Sequence, residues 1–325
     1  MNDLYPWLEP ARRALAGQIE AHRLPHALLI TGRPGLGMLE LAGHLAGMLL
    51  CNAPTADRQP CGQCPACTQL AAGTHPDFLQ VTPDEDAMAI KVDQVRALSD
   101  ALSLCAHGQG FKVAIVSPAD MLNINAANSL LKTLEEPSDN TVLVLVSDRP
   151  ARLPATIRSR CQRVRIKVPE RAEALDWLSG QLPDATQAET SLQLAGGAPL
   201  AALTLAGEGL LEARRERLDE LVGILDGRAT ALEVAQSWCR DEDMQGLHWL
   251  REWLMDMLRI RMTGETGSAR SIDLADSLAG LARRLDSRLM FGQLDMINRV
   301  LGAGAGSLNR QLMTEDILLA WAAQH

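Results

Sequence analysis

The sequence predicts an α/β domain built on a parallel sheet, continued by an all-helical C-terminal half. Three observations predict it. Short runs of Val, Ile and Leu alternate with helically spaced segments through the first half of the chain. One of those runs leads into a glycine-rich loop that opens a helix. Beyond about residue 170 no strand signal survives.

In order along the chain, HALLIT (26–31) is a short apolar strand, and MLELAGHLAGMLLC (38–51) has the spacing of a helix. A cysteine-rich loop follows, then a helix over 92–105. KVAIVS (112–117) reads as a buried strand, AANSLLKTLEE (126–136) as a helix stopped by Pro137, and TVLVLVS (141–147) as a second buried strand. QRVRIKV (162–168) alternates like a strand near a sheet edge and is closed by Pro169. The remainder, from PERAEALDWLSGQL onward, is a series of helices bounded by Pro, Asp and Gly. Boundaries fall near 167 and 207. GETGSARS (264–271) reads as a flexible loop.

Composition narrows the function. The 325 residues exceed one ordinary core. With only ten aromatic residues, aliphatic side chains must build the interior. A net charge of −9 argues against a dedicated nucleic-acid coat while permitting a local basic patch. Neither a secretory signal nor an apolar run of membrane-spanning length is visible. Seven cysteines, an odd number and mostly clustered, suit a cytoplasmic chain with a metal site better than a disulfide framework.

The glycine loop, GRPGLGML (32–39), has the spacing of the phosphate-binding loop G-x-x-x-x-G-K-[ST]. Gly32, Gly35 and Gly37 keep its turn, but Met38 and Leu39 stand where lysine and Ser or Thr are required. Neither can neutralise terminal phosphates or ligate magnesium. Losing one charge-assisted contact costs roughly 1.5–3 kcal/mol of binding, which allows weak nucleotide binding but not productive hydrolysis. A second part of the same site is also missing. The strand at 112–116 runs into Ser117-Pro118, with no carboxylate before Asp120 to hold magnesium.

Cys61, Cys64 and Cys67 form C-x2-C-x2-C, and Cys51 lies ten positions upstream. Four thiolates satisfy tetrahedral zinc, and two-residue spacings let neighbouring sulfurs converge on one ion. His75 is the alternative fourth ligand, and Cys105, Cys161 and Cys239 are assigned to the core. The stretch 156–167 carries Arg158, Arg160, Arg163, Arg165 and Lys167, with Arg152 just upstream. Alone it reads as a solvated strand face. Ser159-Arg160-Cys161 at a turn before an edge strand, however, could project an arginine toward a neighbouring subunit's ATP.

Together these segments resemble the bacterial DNA polymerase III clamp-loader subunits of the AAA+ class. The resemblance is carried by GRPGLG (32–37), CGQCPAC (61–67), GTHPDF (73–78), NSLLKTLEEPSDNTVLVL (128–145) and LPATIRSRC (153–161). It covers the N-terminal two thirds well, and the rest mainly in length and helical content. The ATP-hydrolysing gamma/tau subunit carries the lysine, threonine and acidic pair absent here at 38, 39, 117 and 118. It also carries an arginine in a Gly-Ser-x-Arg context, where this chain has Gly197-Ala198-Pro199-Leu200. The Ser-Arg-Cys motif is intact.

The resemblance therefore implies a non-hydrolysing subunit of the polymerase holoenzyme, whose nucleotidyltransferase activity belongs to the complex. It implies an AAA+ domain (1–167) with an inserted zinc loop (51–67), a helical lid (168–207) and a C-terminal helical collar (208–325). Arg160, with Ser159, would act as an arginine finger in trans. The zinc held by Cys51, Cys61, Cys64 and Cys67 would be structural. Expected partners are gamma/tau and delta, with the sliding clamp and primed DNA met through the assembled complex, and no membrane. Two other readings stand beside it: an active ATPase of the gamma/tau type, and a zinc-dependent nucleic-acid-binding module. The charge of −9 and the lack of aromatics near the cysteines count against the latter.

Overall fold

The computed structural model describes residues 4–84, 87, 89–103, 110–207, 209–239, 244–302 and 310–323. Its contacts divide the chain into two compact units. One comprises Met1–Asp176 with Ala198–Ala201, the other Trp177–Gly197 with Ala202–His325.

The first unit runs α1 (Glu9–Glu20), β1 (Ala27–Thr31), α2 (Met38–Leu50), α3 (Pro65–Ala71), β2 (Phe78–Val81), α4 (Val92–Ser103) and β3 (Lys112–Val116). It continues through α5 (Ile124–Glu135), β4 (Thr141–Ser147), α6 (Ala155–Arg158) and β5 (Gln162–Arg165). All pairings are parallel, in the order β2-β3-β4-β1-β5. Every residue of β1, β3 and β4 is buried, as their continuous apolar runs predict for central strands covered on both faces. α5 starts where the Asn123 side chain accepts the Ala126 N–H at 2.8 Å. It ends at Glu135, because the residue before Pro137 is pushed out of helical geometry.

Three differences from the sequence reading have physical causes. β2 was not predicted: at the sheet edge none of its four residues is fully buried and Gln80 is exposed, so FLQV lacks the apolar run of a central strand. β5 is shorter than the predicted 162–168. Its regular part stops at Arg165, and one further ladder bond, Ile166 N–H to Thr31 O at 2.7 Å, closes it. The expected flexible loop at 264–271 is pinned. The buried Asp256 carboxylate accepts the backbone N–H groups of Arg270 and Ser271 at 3.0 and 2.9 Å. Cys105, assigned to the core, lies outside the described residues.

The second unit is entirely helical among the described residues. It carries part of α7 (Arg171–Ser179), then α8 (Ala185–Leu194), most of α9 (Pro199–Gly207), α10 (Leu210–Leu225) and α11 (Ala231–Trp238). α12 (Gln245–Thr263), α13 (Ala275–Arg284), α14 (Ser287–Gly302) and α15 (Arg310–Ala322) complete it. A continuous core surrounds the fully buried Trp253 and Trp321, and the Trp321 indole donates to Leu221 O at 3.0 Å. Among the described residues no helix is long and apolar enough to cross a membrane.

Asp256 also pairs with Arg259, so its removal strands a partly buried cation as well as two backbone donors. Asp256→Ala is expected to destabilise the second unit by about 3 kcal/mol or more. Denaturation followed by the fluorescence of Trp249 and Trp253 reads the loss, and Asp256→Asn should recover part of it.

Candidate functional site

The glycine loop lies between β1 and α2, as its spacing predicts. Gly35 and Gly37 both have positive φ, 77° and 79°, and Gly37 is the N-cap of α2. What occupies the space beside them is protein. A Cβ on Gly35 would sit 2.5 Å from Ala201, and one on Gly37 2.8 Å from the Tyr5 ring. The Leu200 N–H donates to Gly35 O at 3.1 Å, and the Trp7 indole donates to Leu36 O at 2.9 Å. Tyr5 stacks on Trp7 with ring centroids 5.1 Å apart. Leu36 is fully buried between these contacts.

Met38 is buried, with its sulfur 3.0 Å from where a Gly32 Cβ would stand, and Leu39 is exposed. Past the end of β3, the next carboxylate along the chain is that of Asp120. It accepts the Ser147 hydroxyl at 2.7 Å and pairs with Arg149 at 3.2 Å, its side chain wholly buried.

The four cysteines read from the sequence converge. The sulfurs of Cys51, Cys61, Cys64 and Cys67 all lie within 4.8 Å of one another, with Cys51 and Cys64 3.8 Å apart. Cys51 stands at the C-cap of α2, Cys64 at the N-cap of α3 and Cys67 inside α3, so two helix ends and the loop between them supply the set. Such a cluster could hold a metal ion. The Cys61 N–H donates to Cys51 Sγ and the Cys64 N–H to Cys61 Sγ, each at 3.3 Å.

These contacts set the thiols apart. Burial pushes Cys64 up, but the backbone N–H groups of Cys67 and Asn52 and the thiols of Cys67 and Cys61 outweigh it, leaving it at about 6. The backbone N–H groups of Gln63 and Cys64 lower Cys61. Burial raises Cys51, and pushes Cys67 up to about 12. Without a cation the four do not ionise together, and a bound divalent ion would supply the missing compensation.

His75 is not part of this cluster; its Nδ1 accepts the Asp77 N–H at 3.1 Å. Cys161 is in the core of the first unit, where burial pushes its thiol up to about 11. Cys239, also assigned to the core, is only half-buried, at the C-cap of α11. The loop is also tied down at a point the sequence did not reveal. The buried Arg12 of α1 donates to Asp57 O at 2.8 Å and pairs with Glu9.

Arg160 follows α6 on the turn into β5. Its guanidinium is 38% exposed, paired with Glu135 at 2.6 Å and donating to Thr156 O at 3.0 Å. The Ser159 hydroxyl also donates to Thr156 O, at 3.1 Å, which fixes the turn without engaging the arginine.

The family model described as "DNA polymerase III, delta subunit" matches residues 8–170, and "DNA polymerase III, delta subunit, C terminal" matches 208–323. The DNA polymerase III subunit delta' of Pseudomonas aeruginosa is 37% identical, over 99% of this chain and 98% of its own. That of Escherichia coli is 36% identical, over 97% and 94%, and that of Haemophilus influenzae 35%, over 91% and 89%.

Metal analysis of the purified chain is expected to give one ion per molecule. Cys61→Ser, which removes one donor of four, should reduce the content well below that ratio and lower the thermal midpoint.

Proposed function

The chain belongs to the DNA polymerase III delta' subunit family, and from that premise we propose that it is the non-hydrolysing subunit of a clamp loader. In this reading it assembles with gamma/tau and delta and takes part in loading the sliding clamp on primed DNA. The chain is a rigid partner in the complex, and the chemistry is carried out by a gamma/tau neighbour.

The observation that carries the proposal is a contrast within one domain. The loop that would hold this chain's own nucleotide is filled at its crest by Ala201, Leu200, Tyr5 and Trp7. The arginine suited to another subunit's nucleotide stands at the surface. Met38 and Leu39 supply neither cation nor oxygen, and Asp120 is already engaged by Ser147 and Arg149. A guanidinium delivered to a neighbour's ATP stabilises the charge that builds on the transferring phosphoryl group, an effect of about 10³–10⁵-fold where it has been isolated. Arg160 is assigned that role, and Ser159 the positioning of its turn.

The cysteine cluster is assigned to structural zinc. Tetrahedral zinc with Zn–S near 2.3 Å has S–S edges of roughly 3.8 Å, the separation of Cys51 and Cys64. Four protein donors leave no open position for a reacting molecule. The zinc would hold the α2–α3 connection in one conformation.

Two measurements test the proposal. The isolated chain should show no ATP turnover, and Met38→Lys with Leu39→Thr should not create it, since the acidic pair is still missing. Turnover like that of a competent P-loop ATPase, lost on changing Gly37, would instead establish an active enzyme. Arg160→Ala should leave the complex assembled while lowering its DNA-stimulated ATPase rate several-fold. An unchanged rate would remove the finger assignment from Arg160 and pass it to Arg158.

A further inference from the structure

The basic run that reads as one patch in the sequence is divided by the fold. Arg158 and Arg160 lie before β5, at the end where the strand enters the sheet. Arg163, Arg165 and Lys167 follow along and beyond it, and line a crevice of about 410 Å³. Its other walls are Thr31 and Gly32 from the end of β1, and Asp148 and Pro150 from the segment after β4. Arg33 of the glycine loop completes it. Crevices at the carboxyl ends of parallel strands are where open α/β sheets bind ligands.

The charge of three of these cations is uncompensated. Among the described residues Arg163, Arg165 and Lys167 are all exposed, and no carboxylate pairs with them. The one acid in the wall, Asp148, is paired with Arg149 at 3.4 Å. Arg163 and Arg165 stand on one face of the edge strand at an interval of roughly 6.6 Å, and Lys167, two residues further on past the last ladder bond, lines the same crevice.

We propose that this crevice binds the phosphodiester backbone of single-stranded nucleic acid. The interval matches that of successive phosphates along an extended strand. Three cations in a row, rather than converging on one point, suit an extended polyanion better than one triphosphate. The lining contains no aromatic ring to hold a base, so a mononucleotide would gain little beyond its phosphates. A backbone site needs no such ring: its affinity comes from counterion release and is indifferent to sequence. The net charge of −9 confines this attraction to the crevice. The inference deepens the clamp-loader reading by giving this chain a DNA contact of its own, and it does not depend on Arg160.

The test uses the full chain and a fluorescein-labelled oligothymidylate of about 20 nucleotides, followed by anisotropy across a salt series. Wild type should bind at low salt, with affinity falling steeply as salt rises. The triple variant Arg163→Ala, Arg165→Ala, Lys167→Ala should lose on the order of tenfold or more at low salt. Its log–log salt slope should become shallower by about 2, from about 0.7 per phosphate contact. Its thermal midpoint should be unchanged, because the three side chains are exposed. Arg163→Lys with Arg165→Lys should bind within about threefold of wild type, as point contacts to phosphate require. Absent binding by wild type, or equal binding by the triple alanine variant, would overturn the proposal and leave the cations as edge protection against strand pairing. Displacement of the oligonucleotide by ATP at matched ionic strength would overturn it in favour of a mononucleotide pocket. A complex whose ATPase responds to Arg160→Ala while this binding is absent would separate the two failures.

Discussion

The first unit depends on how protein groups hold the turn from β1 into α2. In a nucleotide-binding loop, glycines without a Cβ let backbone N–H groups approach the anion. Here the same missing Cβ atoms make room for Ala201 and Tyr5. The carbonyls exposed by the turn are also met by protein, Gly35 O by the Leu200 N–H and Leu36 O by the Trp7 indole. Each would cost about 1–3 kcal/mol if buried without a partner. The glycines are therefore required by packing, whatever the loop binds, and the motif by itself says little about nucleotide chemistry.

The cysteine loop is tied to the same region by a different interaction. Arg12 is buried, and its guanidinium joins Glu9 of its own helix to the carbonyl of Asp57, midway between Cys51 and Cys61. Hydrogen bonding from Arg12 holds the Glu9 carboxyl down at about 2 against an ordinary 4.5. The stabilisation from this carboxylate is therefore complete above about pH 4.5. It is lost as the pH falls toward 2. Arg12 thus gives the cysteine loop a fixed point that does not depend on a bound metal ion.

What the sequence disclosed follows from the range of the forces involved. β1, β3 and β4 were legible because both faces are buried and nearly every residue is apolar. The C-x2-C-x2-C spacing and Cys51 were legible because thiolate ligation has few alternatives. β2 was not, since a half-exposed edge strand of four residues carries little pattern. Nor were Tyr5, Trp7 and Ala201 as the occupants of the glycine loop. Trp7 meets Leu36 across 29 residues, and Ala201 comes from a helix far along the chain. The loop at 264–271 misled for the same reason. Its Gly, Ser and Thr content signals a mobile connection, while the carboxylate that pins it sits on α12. The basic run at 152–167 was legible as charge, but its division into two groups required the position of β5.

That division bears on the role proposed for Arg160: how an arginine can be ready for a neighbour's nucleotide without being lost to solvent. An unrestrained guanidinium loses about 2 kcal/mol of rotamer freedom when it is fixed on a ligand. Arg160 has already surrendered part of that freedom to Glu135 and to the Thr156 carbonyl. Both partners of the ion pair are substantially exposed, 38% and 51%, so the pair itself is worth at most about 1 kcal/mol. A triphosphate offers several charged oxygens in place of one carboxylate, and charge-assisted bonds of about 1.5–3 kcal/mol each exceed what is given up. Glu135 is thus strong enough to orient the arginine and too weak to retain it. A buried carboxylate in the same place would have locked the side chain against its own domain.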